Sequence, residues 1–287
     1  MRSRPYRRQR RPTSWRRLAL ATWRAPNDPT VYGTIEVDMS EASALIAELR
    51  ERTGVRVTPT HLVTKALALS LAEQPEGNGL ILGRRVYLRD RVDVFCQVAS
   101  EDGRDLSGVK IEAADRRSVV EIADELARRA ERVRAREDRE VERTKASLGR
   151  IPDWLLAPVL RAVGFLTYDL GLDLRRFGIA YDSFGSAMVT SIGGIDAGLG
   201  LALAPLVPFS HVPIIVLVNR IQRRPVAVGE SVEIRPVLTL GCTFDHRFID
   251  GVIAARIASG LHRNLERARE RLAPPVDEPR PAVESVA

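Results

Sequence analysis

The chain is poor in cysteine. Its 287 residues include only Cys96 and Cys242, which lie far apart, each in a segment that alternates apolar and polar residues. Two such cysteines provide neither a disulfide framework nor the clustered spacing of a zinc site, and the four histidines do not provide that spacing either. We therefore expect a protein of a reducing compartment, the cytoplasm, that holds no metal.

Long apolar runs are also missing. No stretch reaches the roughly 18 uncharged apolar residues that a membrane-spanning helix needs, and the N-terminus lacks the apolar core of a secretory signal. The hydrophobic content of 45% is nevertheless high enough for a full core, which excludes a disordered protein. These features predict a soluble, cytoplasmic protein.

Acidic residues are absent from the first 24 positions, which contain nine arginines. This segment accounts for the net charge of +7, because the rest of the chain has 35 basic against 37 acidic residues. Pro5 and Pro12 interrupt the segment, so we interpret residues 1–13 as a flexible, solvated arm. Such an arm can contact an anionic membrane surface weakly, and we expect no specific binding of nucleic acid.

The rest of the chain alternates irregularly between strand and helix patterns. Strand-like alternation occurs at residues 31–38, 92–98, 187–191, 213–218 and 238–244. Helix starts are indicated near Ser40, at Thr58 and at a capping box formed by Ser118 and Glu121. A turn near Gly229 favours a hairpin between the last two strands. The pattern predicts one α/β domain with helices packed against a mixed sheet.

The most informative segment is Asp245–Gly251, DHRFIDG, which puts a histidine between two acids where a strand gives way to a helix. A side chain on such a turn can reach a ligand while the scaffold holds it still. His246 is therefore the candidate reactive group. The same residues also fit an ordinary helix N-terminus, in which Asp250 caps the helix and His246 is merely exposed.

DHRFIDG resembles the DHRxxDG signature of the catalytic domain of the dihydrolipoyl acyltransferases, the core components of 2-oxoacid dehydrogenase complexes. It is also similar to the HHxxxDG motif of chloramphenicol acetyltransferase. Upstream, Val189–Gly193 resembles the family's TISNLG segment, and further features follow in the family's order between Ser14 and Glu266. The resemblance implies a chloramphenicol acetyltransferase-like α/β fold, a two-layer sandwich with a mixed sheet, which forms trimers with each active site at a subunit interface.

The resemblance also implies roles for individual residues. Acyl transfer between two thiols needs a base, and an imidazole of ordinary pKa, about 6.5, can accept a thiol proton near pH 7. His246 is the implied base, and Thr190, at a position where relatives carry serine or threonine, is the implied hydrogen-bond donor to the oxyanion. Asp250 is expected to organise the loop, with Arg16 or Arg17 as its partner. Because the two substrates can react directly, no cysteine nucleophile is required.

By the same resemblance the catalytic domain covers residues 14–270, between the arm and a Pro-rich flexible tail at residues 271–287. The stretch between the Ser118 helix and the TISNLG-like segment is longer than in relatives, which predicts an inserted helical segment at about 146–178. We interpret this segment as a lid or a trimer-contact helix. The alternative is a helix that binds an acyl chain or a membrane surface.

The sequence thus predicts a stand-alone, coenzyme A-dependent acyltransferase that moves an acyl group between coenzyme A and a thiol such as dihydrolipoamide. Coenzyme A is expected as a substrate, with no lipoyl group on this chain and a separate lipoyl-bearing protein as partner. The polar C-terminal end predicts isolated homotrimers. The alternatives are an acyltransferase for a hydroxyl or amine of another small molecule, and a non-catalytic trimeric scaffold of the same fold.

Overall fold

The computed structural model describes residues 28–82, 85–99, 106–134, 152–170, 172, 174, 182–194, 200–207 and 210–273. The predicted basic arm, Arg16, Arg17 and nearly all of the predicted tail lie outside these ranges. The predicted inserted segment is described in part. The boundaries of arm, domain and tail stay predictions.

Eight strands and six α-helices make up the described part of the chain. The strands are β1 Thr30–Asp38, β2 Gly79–Leu82, β3 Arg85–Leu88, β4 Val94–Ala99, β5 Leu106–Ile111, β6 Ala187–Ser191, β7 Ile214–Val228 and β8 Ser231–Asp245. The helices are α1 Ser40–Thr53, α2 Pro59–Glu73, α3 Val119–Arg134, α4 Asp153–Gly164, α5 Gly251–Glu266 and α6 Ala268–Leu272. A 3₁₀ turn, Pro75–Gly77, precedes β2, and a π-helical turn, Phe165–Asp169, follows α4.

Six of the strands form one mixed sheet in the order β1-β8-β7-β6-β4-β5. Strand β6 is parallel to both of its neighbours, β4 and β7, whereas the other pairs are antiparallel. Strands β2 and β3 form a separate two-stranded hairpin. The predicted α/β class with a mixed sheet is confirmed.

One face of the sheet is covered by helices. Alternate residues of the strands, such as Val216, Leu240 and Cys242, are buried there with the apolar faces of α1, α2, α3 and α5. Helix α2 is apolar nearly all round and contacts β4, β6 and β7 as well as α5. This layer forms the main hydrophobic core and holds the ends of β8 and α5 in a fixed relation.

The opposite face of the sheet carries a much smaller buried cluster, Met188, Val212 and Ile215. Residues 200–207 cross this face without regular structure. The side-chain amide of Asn219 holds them in place, because its Oδ1 accepts from Ala202 N at 2.9 Å and its Nδ2 donates to Ala202 O at 3.2 Å. Gly241 lies directly below, where an added Cβ would be 2.6 Å from Ala202 O.

Two expectations need correction. The hairpin strands were predicted as residues 213–218 and 238–244, but β7 and β8 run from Ile214 to Val228 and from Ser231 to Asp245. The added residues are mostly polar and partly exposed, so their pairing rests on backbone hydrogen bonds rather than on an apolar pattern. The β2–β3 hairpin was not predicted, since all four residues of β3 are exposed and show no alternation.

No described helix is both long and apolar enough to cross a membrane.

Candidate functional site

The turn between β8 and α5 is tied to two neighbouring segments of backbone. Asp245, the last residue of β8, donates its N–H to Pro213 O at 2.9 Å, and His246 donates its N–H to Pro29 O at 2.8 Å. These bonds attach the turn to the residues that precede β7 and β1. The main chain at His246 is therefore fixed from both sides of the strand.

The turn is also closed by its own residues. Phe248 and Ile249 donate their N–H groups to Asp245 O at 3.0 and 2.8 Å. The buried Asp245 carboxylate accepts from Arg247 through Nε at 3.0 Å and Nη2 at 2.6 Å, and this bond raises the pKa of Arg247. Ile249 is buried in the core and anchors the end of the turn. Asp245 and Arg247 therefore pair with each other.

The His246 ring is exposed but held in one orientation. Its Nδ1 lies 2.8 Å from the carbonyl oxygen of Ile249. A carbonyl can only accept, so this contact requires the tautomer with the proton on Nδ1. The same tautomer leaves Nε2 without a proton. In the singly protonated ring, the turn therefore holds the proton on Nδ1 and leaves the lone pair of Nε2 available to accept a proton from a ligand.

Asp250 caps the helix that follows. Its Oδ1 accepts from the N–H groups of Val252 and Ile253, both at 2.9 Å, at the start of α5. This is the contact expected of an ordinary helix N-terminus, and the exposure of His246 agrees with that reading too. The cap nevertheless fixes the residue that directly follows Ile249, whose carbonyl holds the ring. Capping and ring positioning are therefore two consequences of one arrangement.

Thr190 lies on β6, on the sheet face opposite the helices. It is half-buried and alternates with Val189, which is buried in the main core. The neighbouring Ser191 hydroxyl already serves the turn after β6, donating to Val218 O at 3.4 Å and accepting from Gly193 N at 3.3 Å. Of the two hydroxyls, Thr190 is therefore the better candidate for contact with a ligand.

Thr190 and His246 are not brought together within one chain. Thr190 pairs with Leu217, and Leu217 pairs with Gly241, in the middle of β8, whereas His246 follows the end of β8. At about 3.3 Å per residue and about 4.8 Å between strands, the Cα atoms of Thr190 and Asp245 are roughly 16 Å apart. Within one chain, the two side chains therefore do not meet at a single reacting atom.

The two cysteines are buried, and their thiols are protonated near neutral pH. Burial raises the pKa of both Cys96 and Cys242 to about 12, so neither is a thiolate near neutral pH. Their environment agrees with a mechanism that needs no cysteine nucleophile. Within the described ranges, no group of three histidine, cysteine or acidic residues could hold a metal ion. The absence of a bound metal stays a prediction.

Two other histidines have local structural partners. The Nδ1 of His61 accepts from Thr58 N at 3.1 Å in the first turn of α2, and burial lowers the pKa of His61 to about 4. His61 is therefore a hydrogen-bonded structural histidine. His262 Nε2 lies 3.3 Å from Glu266 on the exposed side of α5. These contacts leave His246 as the better candidate base.

The groups that sequence reasoning missed are main-chain acceptors. The carbonyl oxygens of Ile249 and Pro29 fix the ring and the backbone of His246. A backbone carbonyl is present at every residue, so no sequence signal could have identified these two. Asn219 was missed as well, although its polar amide inside an apolar strand is a signal that could have marked it.

Comparison with known families places the chain. The model of the 2-oxoacid dehydrogenases acyltransferase (catalytic domain) family matches residues 7–148 and 183–273. The chain belongs to this family, and the predicted resemblance is confirmed. The prediction of an acyltransferase-type enzyme is confirmed at the level of the family. The match leaves out residues 149–182, which contain α4 and the π-helical turn.

Among curated relatives, the dihydrolipoyllysine-residue succinyltransferase component of the mitochondrial 2-oxoglutarate dehydrogenase complex of Saccharomyces cerevisiae is 24% identical over 241 residues. This alignment covers 83% of this chain and 42% of the yeast protein. The chain spans less than half the length of the curated relatives that it matches.

Solved structures show the same fold. The cubic core of the pyruvate dehydrogenase multienzyme complex and the Azotobacter vinelandii dihydrolipoamide acetyltransferase each match with a TM-score of 0.63 and 24% identity. Each match covers 86% of this chain and 85% of the other. The chain therefore shares its overall fold, the mixed sheet with a helical layer, with these two structures.

Proposed function

We propose that the protein is a coenzyme A-dependent acyltransferase that moves an acyl group between coenzyme A and a thiol such as dihydrolipoamide. The observation that carries this proposal is the 2.8 Å contact between His246 Nδ1 and Ile249 O on an exposed turn. The contact fixes the ring at the end of a strand and, in the singly protonated imidazole, directs Nε2 away from the carbonyl as the basic nitrogen. Direct thiol-to-thiol acyl transfer needs such a base.

His246 Nε2 takes the proton of the attacking thiol as its sulfur forms a bond to the thioester carbonyl carbon. The carbonyl oxygen becomes an oxyanion. When the tetrahedral intermediate collapses, the original carbon–sulfur bond breaks, and the proton passes from Nε2 to the departing thiolate. The ring returns to its starting tautomer, which the Ile249 carbonyl stabilises throughout.

Thr190 is the proposed donor to the oxyanion. Its separation of roughly 16 Å from the end of β8 means that the Thr190 hydroxyl must come from a neighbouring subunit. We therefore infer a homotrimer whose sites lie at the interfaces between subunits. One of the structural relatives belongs to the cubic core of a multienzyme complex, which agrees with association of this fold into larger assemblies.

Asp250 is proposed to support the base without transferring a proton. In the Azotobacter vinelandii dihydrolipoamide acetyltransferase, a serine, a histidine and an asparagine are named for their role in the catalytic mechanism. The asparagine follows the histidine by four residues. Asp250 has the same spacing from His246, and asparagine and aspartate are equally good helix caps. The shared property of the two residue types supports a positioning role through the cap.

The remaining parts of the proposal follow from the family. Several relatives are named as components that act on a dihydrolipoyllysine residue, which supports a lipoyl-bearing protein as partner and coenzyme A as substrate rather than as a bound cofactor. We further infer that the enzyme can act by itself, and that it is located in the cytoplasm. Activity of the purified chain with free dihydrolipoamide and cell fractionation test these two points.

The central test measures acyl transfer from acetyl-coenzyme A to dihydrolipoamide. His246→Ala should lower kcat/KM at least about 100-fold, because the general base is removed. His262→Ala is the matched control, since this exposed histidine on α5 lies beside Glu266, and its loss should change the rate less than about twofold. Equal activity of His246→Ala and the native protein would reject the mechanism. A folded native protein without any transfer would reject the proposed acceptor and favour the scaffold alternative.

A further inference from the structure

An exposed apolar surface surrounds helix α4. Of the 12 residues of this helix only Asp153 and Arg161 are charged. The side chain of Trp154 is 78% exposed, and Phe165, the first residue of the π-helical turn, is 52% exposed. An apolar helix of this kind is normally buried. Exposed apolar surface of this extent marks a place where an apolar ligand or partner binds.

Contacts connect this surface to the turn that carries His246. At the end of α4, a Cβ built on Gly164 would lie 3.8 Å from the ring of His211, two residues before the Pro213 carbonyl that binds Asp245 N. The π-helical turn contacts β2. Strand β2 in turn packs on the turn after β8, since a Cβ at Gly79 would lie 2.9 Å from the Phe248 ring.

Strand β3 continues the same surface. Leu88 pairs with Gly79, which lies against Phe248, so Leu88 and Val86, which are 59% and 50% exposed, share the hairpin face that meets Phe248. The hairpin and the π-helical turn, which contacts both β2 and α4, thus lie between Phe248 and α4. The family match leaves out α4 and the π-helical turn, so this part of the surface is an addition to the shared fold.

We propose that α4, the π-helical turn and β3 form the wall of a binding site for a long aliphatic acyl chain, that of the acyl thioester attacked next to His246. This proposal rests on the proposed function and adds the class of acyl group. The aliphatic chain is favoured as occupant because the surface is continuous with the candidate catalytic turn at Phe248. Ten of the twelve residues of α4 carry no charge, so the wall also suits a ligand that has no polar groups along most of its length.

The test is a chain-length series. Thioether analogues of acetyl-, hexanoyl- and decanoyl-coenzyme A, which cannot transfer the acyl group, are titrated into the full-length protein by calorimetry. Each methylene buried on the wall should tighten binding roughly fourfold. Burial of half of the added methylenes gives the decanoyl analogue an affinity at least roughly 100-fold higher than that of the acetyl analogue.

A double variant tests the wall. Leu88→Ser with Phe165→Ser removes two exposed apolar side chains, so the fold should be kept, and the preference for decanoyl over acetyl should fall below about tenfold. Val232→Ser with Ile234→Ser is the matched control, because these side chains are equally exposed on the far part of the β7–β8 hairpin. The control should keep the native preference, and so should His246→Ala.

Three results would overturn the proposal: equal affinity of the native protein for all chain lengths, an unchanged preference in the wall variant, or loss of the trimer in that variant during sedimentation. Binding to phosphatidylglycerol vesicles that disappears in the wall variant, without any chain-length effect, would assign the surface to a membrane instead. A protein that transfers acetyl groups but shows no chain-length effect would keep the proposed function and lose this proposal. Strong chain-length dependence without any transfer would support the wall and reject the function.

Discussion

The turn that carries His246 and the apolar surface around α4 are neighbours, yet they are built in different ways. Main-chain hydrogen bonds to Pro29 and Pro213 fix the turn, and the Ile249 carbonyl fixes the ring. The α4 surface has large apolar side chains in contact with solvent and touches the hairpin through its π-helical turn. The first region lies within the family match, and α4 lies outside it.

This difference follows from what each region has to do. A base must be held within about 0.5 Å of its working position by packing and by hydrogen bonds from surrounding groups, which the Pro29 and Ile249 carbonyls provide at His246. A wall for an apolar group needs only shape and apolarity. In the proposed function, residues can therefore be added next to the turn without disturbing it, and the proposed catalytic and acyl-binding residues lie in separate stretches of the sequence.

The largest expected effect tests whether the turn that carries His246 works together with Thr190 of a neighbouring subunit, as proposed, or within a single chain. His246→Ala and Thr190→Val each remove one member of the proposed pair, and each should lose about 100-fold or more of the activity. Co-expression of the two variants should restore activity at about a quarter of the sites, where a native His246 and a native Thr190 meet across an interface. The measurement is the acetyl transfer rate of the mixed trimers.

The matched control is co-expression of His246→Ala with a variant that carries both substitutions. No interface of these mixed trimers contains a native His246, so activity should stay as low as in the single variants. If the first mixture also stays inactive while light scattering shows trimers, the two residues do not share a site between subunits.

Much of the fold could be predicted because its signals are local. The capping box at Ser118 forms as expected, with Ser118 N donating to Glu121 Oε2 at 2.8 Å and Glu121 N donating to Ser118 Oγ at 3.1 Å. The alternation of Leu238, Leu240 and Cys242 marks β8 because these side chains face the core. The far half of the hairpin has no such pattern, since only backbone pairing extends it.

The candidate site was predictable in its parts but not in its arrangement. The residues of DHRFIDG identify His246, and the order of strands and helices supports its place on a turn. The distance between Thr190 and His246 depends on the register of three strands, which no single segment contains. The acceptor of the ring proton is a main-chain atom, so it became visible only in three dimensions.

The junction between the two regions can be disturbed through Gly79. A Cβ there would lie 2.5 Å from Tyr87 O and 2.9 Å from the Phe248 ring, so Gly79→Ala must displace β3 or the turn. We expect a loss of about 2 kcal/mol in the free energy of unfolding, measured with urea, and a lower rate of acyl transfer. Gly33→Ala on β1 is the control, because nothing lies within 4 Å of its added Cβ. Equal stability of the two variants would mean that the β2–β3 hairpin does not pack tightly against the turn after β8.

Acid should destabilise the fold through His61. The unfolded chain binds a proton at His61 near pH 6.5, whereas burial lowers the folded-state pKa to about 4. The stability contribution of the neutral ring is therefore complete above pH 6.5 and is lost as the pH falls towards 4, by roughly 3 kcal/mol. His61→Gln keeps an acceptor for Thr58 N without titrating, so its stability should vary less with pH over this window. Parallel stability profiles of both proteins would contradict this assignment.

The smallest expected effect comes from Asp250. Substitutions there separate its role as the cap of α5 from its proposed role in positioning His246. Asp250→Ala removes the acceptor of Val252 N and Ile253 N and should cost about 1 kcal/mol of unfolding free energy. Asp250→Asn keeps a capping oxygen and should stay within a few tenths of a kcal/mol of the native protein. If the cap positions His246 through Ile249, kcat should fall clearly in the alanine variant and little in the asparagine variant, with KM for acetyl-coenzyme A nearly constant. A large loss of kcat in the asparagine variant at native stability would show that the charge of Asp250 acts directly, and capping would then be the lesser of its roles.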